Sequence, residues 1–137
     1  MDCIFCKIIA NEIQAAKVYE DSEFLAFLDI HPVRPGHTLV VPKAHHERFD
    51  LTPPEVVAKL WQLVQKVSAG VARATQAEGY NVSINNGRAA GQVIFHTHVH
   101  IIPRVLKDGL VLWPEGDYQG SAIEQIAQSI RQGIKVL

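Results

Sequence analysis

Gly91-Gln92-Val93-Ile94-Phe95-His96-Thr97-His98-Val99-His100-Ile101-Ile102-Pro103 is the stretch whose pattern decides the fold. Side chains alternate faces along a β-strand, so a strand over Ile94 to Ile102 puts His96, His98 and His100 on one side. Phe95, Thr97, Val99 and Ile101 then form an opposite, mostly apolar face suited to lie under a helix. Three of the chain's seven histidines fall on that single face. At a rise of about 3.3 Å per residue, neighbouring rings sit roughly 6.6 Å apart and the outer pair roughly 13 Å. Two imidazoles at i and i+2 can share a metal, but a third at i+4 can hardly reach it, which disfavours a three-histidine catalytic zinc. The strand is better suited to two adjacent sites, with one end histidine assigned differently from the other two. An exposed histidine-rich strand, or buried histidines satisfied by hydrogen bonds, are the plainer alternatives.

The flanking segments supply the rest of the architecture. Ala16 to Tyr19 and Phe24 to Leu28 are apolar runs around Glu20-Asp21-Ser22-Glu23, which predicts two short strands and a tight turn. His31-Pro32-Val33-Arg34-Pro35-Gly36 is a loop, and His37 to Val41 is a β-branched strand ending at Pro42. Thr52 is expected to cap the longest helix, with Pro53 in the first helical position and Glu55 closing a capping box. Val56, Leu60, Leu63, Val64, Val67 and Val71 recur at helical spacing, and Gly79 is the expected stop. Asn81 to Ile84 is a further strand, followed by the glycine-bearing loop Asn85 to Gln92. A second capping box, Ser121-x-x-Glu124, opens a C-terminal helix carrying Ile123, Ile126, Ile130 and Ile134. The expected fold class is α+β, with a mainly antiparallel sheet, one long helix and a C-terminal helix, all in one domain over residues 1–137.

Composition narrows the function classes. Thirteen Lys and Arg against fourteen Asp and Glu give a net charge of −1, no field for gripping a nucleic-acid backbone. No apolar run reaches the roughly 18 residues that span a bilayer, and Met1 to Lys7 lacks the form of a secretory signal. Two cysteines in 137 residues are no disulfide framework, so the cytoplasm is the default address.

A neutral imidazole whose Nδ1–H is fixed by a carbonyl presents its Nε2 lone pair, a nucleophile competent towards phosphorus near neutral pH. A neighbouring histidine two residues along can donate to a phosphate oxygen, and the loop Asn86 to Gln92 allows close backbone approach. Cys3 and Cys6 are open to three readings: a redox pair, inert thiols, or half of a zinc site. A redox motif needs a preceding strand, for which position 3 leaves no room. The zinc reading needs two more ligands, from His45 or His46 and from His96, the end histidine that strand geometry leaves free.

His96-Thr97-His98-Val99-His100-Ile101-Ile102 resembles the signature of the histidine triad (HIT) family, His-φ-His-φ-His-φ-φ with φ apolar. Phe27-Leu28-Asp29-Ile30, Gly36 to His45, Asn85, Ala90-Gly91-Gln92 and Pro103-Arg104 are similar to the family as well, so the likeness runs from about Cys3 to Arg104. It implies a homodimeric HIT-like fold that binds a purine nucleotide and attacks its α-phosphate through the middle histidine, His98. His100 would contact the phosphate and His37 would support the pocket. Asp29 would bind the ribose and Ile30 the base, while Asn85, Gln92 and the backbone of Gly91 and Val93 orient the phosphate. The implied reaction is hydrolysis of nucleoside phosphoramidates, adenylated compounds or dinucleoside polyphosphates through a nucleotidyl-histidine intermediate. The alternatives are a nucleotide-binding sensor with negligible turnover and a nucleotidyltransferase. The resemblance also implies a structural zinc held by Cys3, Cys6, His45 and His96, with no cofactor needed for catalysis and no nucleic-acid or membrane partner. Val93 departs from the family, which usually carries Ser or Thr at that position.

Overall fold

The computed structural model describes residues 2–137. Five strands form one antiparallel sheet: β1 (Lys17–Glu20), β2 (Phe24–Leu28), β3 (Thr38–Pro42), β4 (Gly79–Ser83) and β5 (Val99–Arg104), in the order β1-β2-β3-β5-β4. Three helices accompany it: α1 (Ile4–Ile9), α2 (Pro54–Thr75) and α3 (Ala122–Lys135). The expected α+β architecture is the one observed.

The two middle strands explain how the sheet is covered. β2 and β3 read Phe-Leu-Ala-Phe-Leu and Thr-Leu-Val-Val-Pro, apolar on both faces rather than alternating. A strand of that kind needs cover on two sides. On one face Phe24, Ala26, Val40, Val99 and Ile101 pack against Leu60, Leu63 and Val64 of α2. On the other, Leu25, Phe27, Leu39 and Val41 pack against Cys3, Phe5 and Ile8 from the N-terminal segment and α1. The helix α1 has no counterpart among the sequence expectations. Its six residues are too few for a periodic signal, and its first turn is capped by the Cys3 sulfur accepting from the Cys6 N–H.

Several predicted boundaries move for identifiable reasons. Thr52 does not cap α2: its hydroxyl donates to the Arg48 carbonyl and meets the Thr97 hydroxyl at 2.9 Å. Pro53 stands outside the helix with ψ 140°, because the residue before a proline is driven from the α region and Pro54 follows it. The helix therefore begins at Pro54. It ends at Thr75, with Gln76 in the left-handed region, three residues before the expected stop at Gly79, which instead opens β4. Ser121 holds the N-cap position of α3 without a capping bond, and Glu124 pairs with Arg131.

The histidine-bearing strand is displaced from its expected span: β5 runs Val99–Arg104 and not Ile94 to Ile102, so His100 lies in it while His96 and His98 precede it. The β3–β5 ladder runs from Thr38↔Ile101 to Val40↔Val99 and stops. Continued, it would set Thr97 against Pro42, which has no N–H to offer. Backbone groups of residues 94–98 are engaged elsewhere: Thr97 N–H donates to the His46 carbonyl, and the Ile94 and His96 carbonyls accept from side chains. Thr97, Val99 and Ile101 keep to the α2 side as predicted, whereas Phe95 does not, lying instead under the Arg88 guanidinium. Among the described residues, no helix is long and apolar enough to cross a membrane.

Gly36 closes the turn before β3 with φ +97°, and a Cβ there would lie 2.6 Å from the Thr75 methyl. Gly36→Ala is expected to destabilise the fold by more than about 1 kcal/mol, measured by urea denaturation.

Candidate active site and metal centre

On the α1 side of the sheet lies a cavity of about 490 Å³. Ile4, Phe5 and Ile8 form one wall, Phe27, Leu28, Asp29, Ile30 and His31 another, and Asn85, Gly91, Val93 and Ile94 the rim. His98 and His100 stand at its floor, and no lysine or arginine lines it. A bound anion there must be met by neutral N–H donors.

His98 is 7% exposed, with its ring edge-on to Phe5 at 5.1 Å and to His100 at 4.9 Å. Its Nδ1 lies 2.6 Å from the His96 carbonyl oxygen, which can only accept, so Nδ1 carries the proton. Burial holds the ring below its ordinary pKa against the opposing pull of that carbonyl and of Asp29, favouring the neutral form. The neutral ring has its lone pair on Nε2.

His100 carries the opposite arrangement. Val33 N–H donates to His37 Nδ1 at 3.1 Å, which leaves the proton of neutral His37 on Nε2. That Nε2–H donates to His100 Nδ1 at 2.9 Å, so the proton of His100 lies on its own Nε2. Burial lowers the pKa of His37, and burial together with the neighbouring His98 and His37 takes His100 down to about 4. His100 Nε2 is buried and has no hydrogen-bond partner. A buried N–H without an acceptor is costly unless a ligand supplies one. One lone pair and one unpaired N–H thus stand on adjacent rings.

The other expected site residues divide into two groups. Asp29, Ile30, Asn85, Gly91 and Val93 border the cavity, Ile30 and Val93 being largely exposed. Asp29 Oδ1 accepts the His31 N–H at 2.8 Å. Gln92 does not face the cavity: its amide donates to the Glu47 and Ile94 carbonyls and accepts from Gly87 N–H. The Gly91 N–H, expected to face phosphate, donates to the Arg88 carbonyl, and the residue's φ of +87° accounts for the glycine. His37 lies behind His100 and off the cavity wall. Phe5, His31 and the Val33 N–H are contributors without prior expectation. A backbone donor leaves no mark in the side-chain pattern.

His96 serves a second cluster. Its Nε2–H donates to the Pro42 carbonyl at 2.7 Å, which turns the Nδ1 lone pair towards Cys3, Cys6 and His45. Cys3 Sγ lies 3.5 Å and Cys6 Sγ 3.6 Å from His96 Nδ1, Cys6 Sγ 3.4 Å from His45 Nδ1, and the two Nδ1 atoms 3.2 Å apart. Tetrahedral zinc, with Zn–S near 2.3 Å and Zn–N near 2.05 Å, requires N···N edges of about 3.3 Å and S···N edges of about 3.6 Å. The four donors fit a zinc ion, and the Pro42 carbonyl supplies the outer contact that orients a ligating imidazole. His46 contributes only its carbonyl, to Thr97.

Comparison with known proteins agrees with this geometry. The HIT domain pattern matches residues 10–106, and the chain belongs to that family. It is 49% identical over 109 residues to an adenylylsulfatase of Arabidopsis thaliana, covering 80% of this chain but only 55% of the plant protein. It is 41% identical over 137 residues to an adenosine 5'-monophosphoramidase of Schizosaccharomyces pombe, covering 98% of this chain and all of that one. Among solved structures, a HIT family protein of Bacillus subtilis superimposes with a TM-score of 0.88 at 43% identity, covering 96% of both chains. A zinc-bound histidine triad protein of Mycobacterium smegmatis does so with a TM-score of 0.77 at 38% identity, covering 94% of this chain and 98% of that one.

The lowered pKa of His100 carries a stability consequence. The unfolded chain takes up a proton near pH 6.5 and the folded chain only near 4, so this contribution is complete above pH 6.5 and is lost as pH falls towards 4. Between pH 7 and about pH 4.5 it amounts to roughly 2–3 kcal/mol. His100→Gln should flatten the fall in urea midpoint over that range.

Proposed function

We propose that the chain hydrolyses a bond at the α-phosphorus of a purine nucleotide through a covalent intermediate on His98. The observation that carries this reading is the opposed pair, with the Nε2 lone pair of His98 beside the partnerless Nε2–H of His100. His98 Nε2 attacks phosphorus, forming an N–P bond while the bond to the leaving group breaks and its electron pair departs with that group. His100 Nε2–H bonds a non-bridging oxygen and meets the charge that grows there. Water then attacks the same phosphorus, releasing the mononucleotide and restoring the lone pair of His98. Asp29 faces the ribose and Ile30 the base, against the apolar wall of Ile4, Ile8 and Phe27. Asn85 lies at the phosphate end. His37 acts through His100, and Gln92 acts by shaping the loop.

Val93 refines the substrate class. A side chain without a hydroxyl cannot pass a proton to the departing group. Leaving groups stable as anions, such as sulfate or a polyphosphate, are therefore favoured over amines. Slow turnover on amines would also serve a sensor, and Val93 is the observation on that side.

Cys3, Cys6, His45 and His96 hold a structural zinc, whose chemistry is to fix these four side chains and tie the N-terminus to the segment carrying His98. Residues 1–137 act as one domain. A homodimer is supported by the edge strand β4, where exposed Tyr80 and Val82 leave an unpaired ladder close to exposed Leu110, Leu112 and Trp113.

Mononucleotide release from adenosine phosphoramidate, adenylyl sulfate and a dinucleoside tetraphosphate tests the reading. His98→Ala should lower every rate at least about a thousandfold while leaving the fold intact. A smaller loss on all three would overturn the nucleophile. Release only with an added acceptor would make the protein a transferase, and binding without release a sensor. Val93→Ser should raise the rate most for the phosphoramidate, by roughly tenfold or more. Metal analysis of gently purified protein should find about one zinc per chain.

A further inference from the structure

We propose that Asp108, which lies off the cavity, is a positioning residue for His37 and His100, acting through Arg34. The inference deepens the reading of the pocket given above, since the proton arrangement it protects is the one that makes His100 a donor.

The proton on His100 is decided two contacts away, by the Val33 N–H on His37 Nδ1. Val33 sits in the loop before β3, where regular structure is absent. The loop closes on itself in a turn, with His37 N–H donating to the Arg34 carbonyl around Pro35 and Gly36. The Thr38↔Ile101 pairing anchors the His37 end of the loop to β5, but the Val33 end has no such ladder contact. There the Arg34 guanidinium adds a second tie, with Nη1 lying 3.7 Å from Asp108 Oδ2.

Asp108 is itself immobilised. Its side chain is 2% exposed, and it accepts two bonds from Arg104, at 2.6 and 3.0 Å, and the N–H groups of Val105 and Leu110. Arg104 belongs to β5, four residues beyond His100, and also donates to Asn81 of β4. These four donors hold the carboxyl well below the usual carboxylate range, so it stays charged at any working pH. The contacts close a ring: Val33 to His37, His37 to His100, along β5 to Arg104, across Asp108, and back through Arg34 to Val33. A partly exposed ion pair of this length adds little stability. Its effect is geometric, holding the Val33 N–H in register with the imidazole that it protonates by exclusion.

Long-range proton–nitrogen spectra of the ¹⁵N-labelled protein as purified, without substrate, test this. In the wild type, His37 and His100 should show the Nε2–H tautomer and His98 the Nδ1–H tautomer. Arg34→Gln and Asp108→Asn should shift His37 and His100 to mixed tautomers, while His98, held by the His96 carbonyl, stays unchanged and reports an intact fold. Arg34→Lys should restore the wild-type pattern in part. Arg34→Gln leaves the Arg104–Asp108 pair in place, so it decides the matter if Asp108→Asn fails to fold. Unchanged His37 and His100 signals in folded Arg34→Gln would overturn the proposal. The spectra involve no turnover, so a failure of the hydrolase reading would appear in the rate assays and not here.

Discussion

One hydrogen bond governs the chemistry of this pocket: His98 Nδ1–H to the carbonyl of His96, at 2.6 Å. It spans two residues of the same segment, so it forms only where that carbonyl is released from the sheet ladder. That carbonyl points to the β4 side of the chain, where the β4–β5 pairing reaches back no further than Ser83↔His100, so no ladder donor claims it. A strand end that would elsewhere be a defect thus frees an acceptor, and the acceptor chooses which nitrogen of His98 keeps the lone pair. The burial that lowers the ring's pKa keeps it neutral, and the edge of Phe5 holds its plane.

The same break lets His96 leave the pocket. With its Nε2–H on the Pro42 carbonyl, His96 turns Nδ1 to the cluster of Cys3, Cys6 and His45. Residues two apart therefore serve two centres, and the backbone between them is shared. The cysteine–histidine cluster and His98, the proposed nucleophile, are thereby joined through the His96 peptide unit. On the far side of His98 the ring of contacts through His37, Arg34 and Asp108 performs the corresponding task for His100.

Much of this arrangement was legible in the residues. The alternation of His96, His98 and His100 against Phe95, Thr97, Val99 and Ile101 set the imidazoles opposite a mostly apolar face, of which Val99 and Ile101 pack under α2 while Phe95 does not. Strand spacing led to the expectation that one end histidine would stand apart, but the separation arises differently: His96 and His98 precede β5, and the His98 and His100 ring centroids lie 4.9 Å apart, not the roughly 6.6 Å of strand neighbours. What was not legible has physical causes. Helix α1 is too short to show periodicity, so the second layer over the sheet had no signal of its own. The cap assigned to Thr52 failed because Pro53 precedes another proline. Gln92 resembled a phosphate ligand by position, but its amide is saturated by loop backbone. Val33 and Asp108 act through a backbone N–H and a buried ion pair, neither of which leaves a pattern in one sequence.

The most direct test of the central claim is peptide mapping by mass spectrometry of the protein quenched with acid-sparing reagents during turnover of adenylyl sulfate. The account predicts one nucleotidyl group per active chain, bonded to Nε2 of His98. An adduct on any other side chain, or steady product release with His98 unmodified at every quench time, would contradict it.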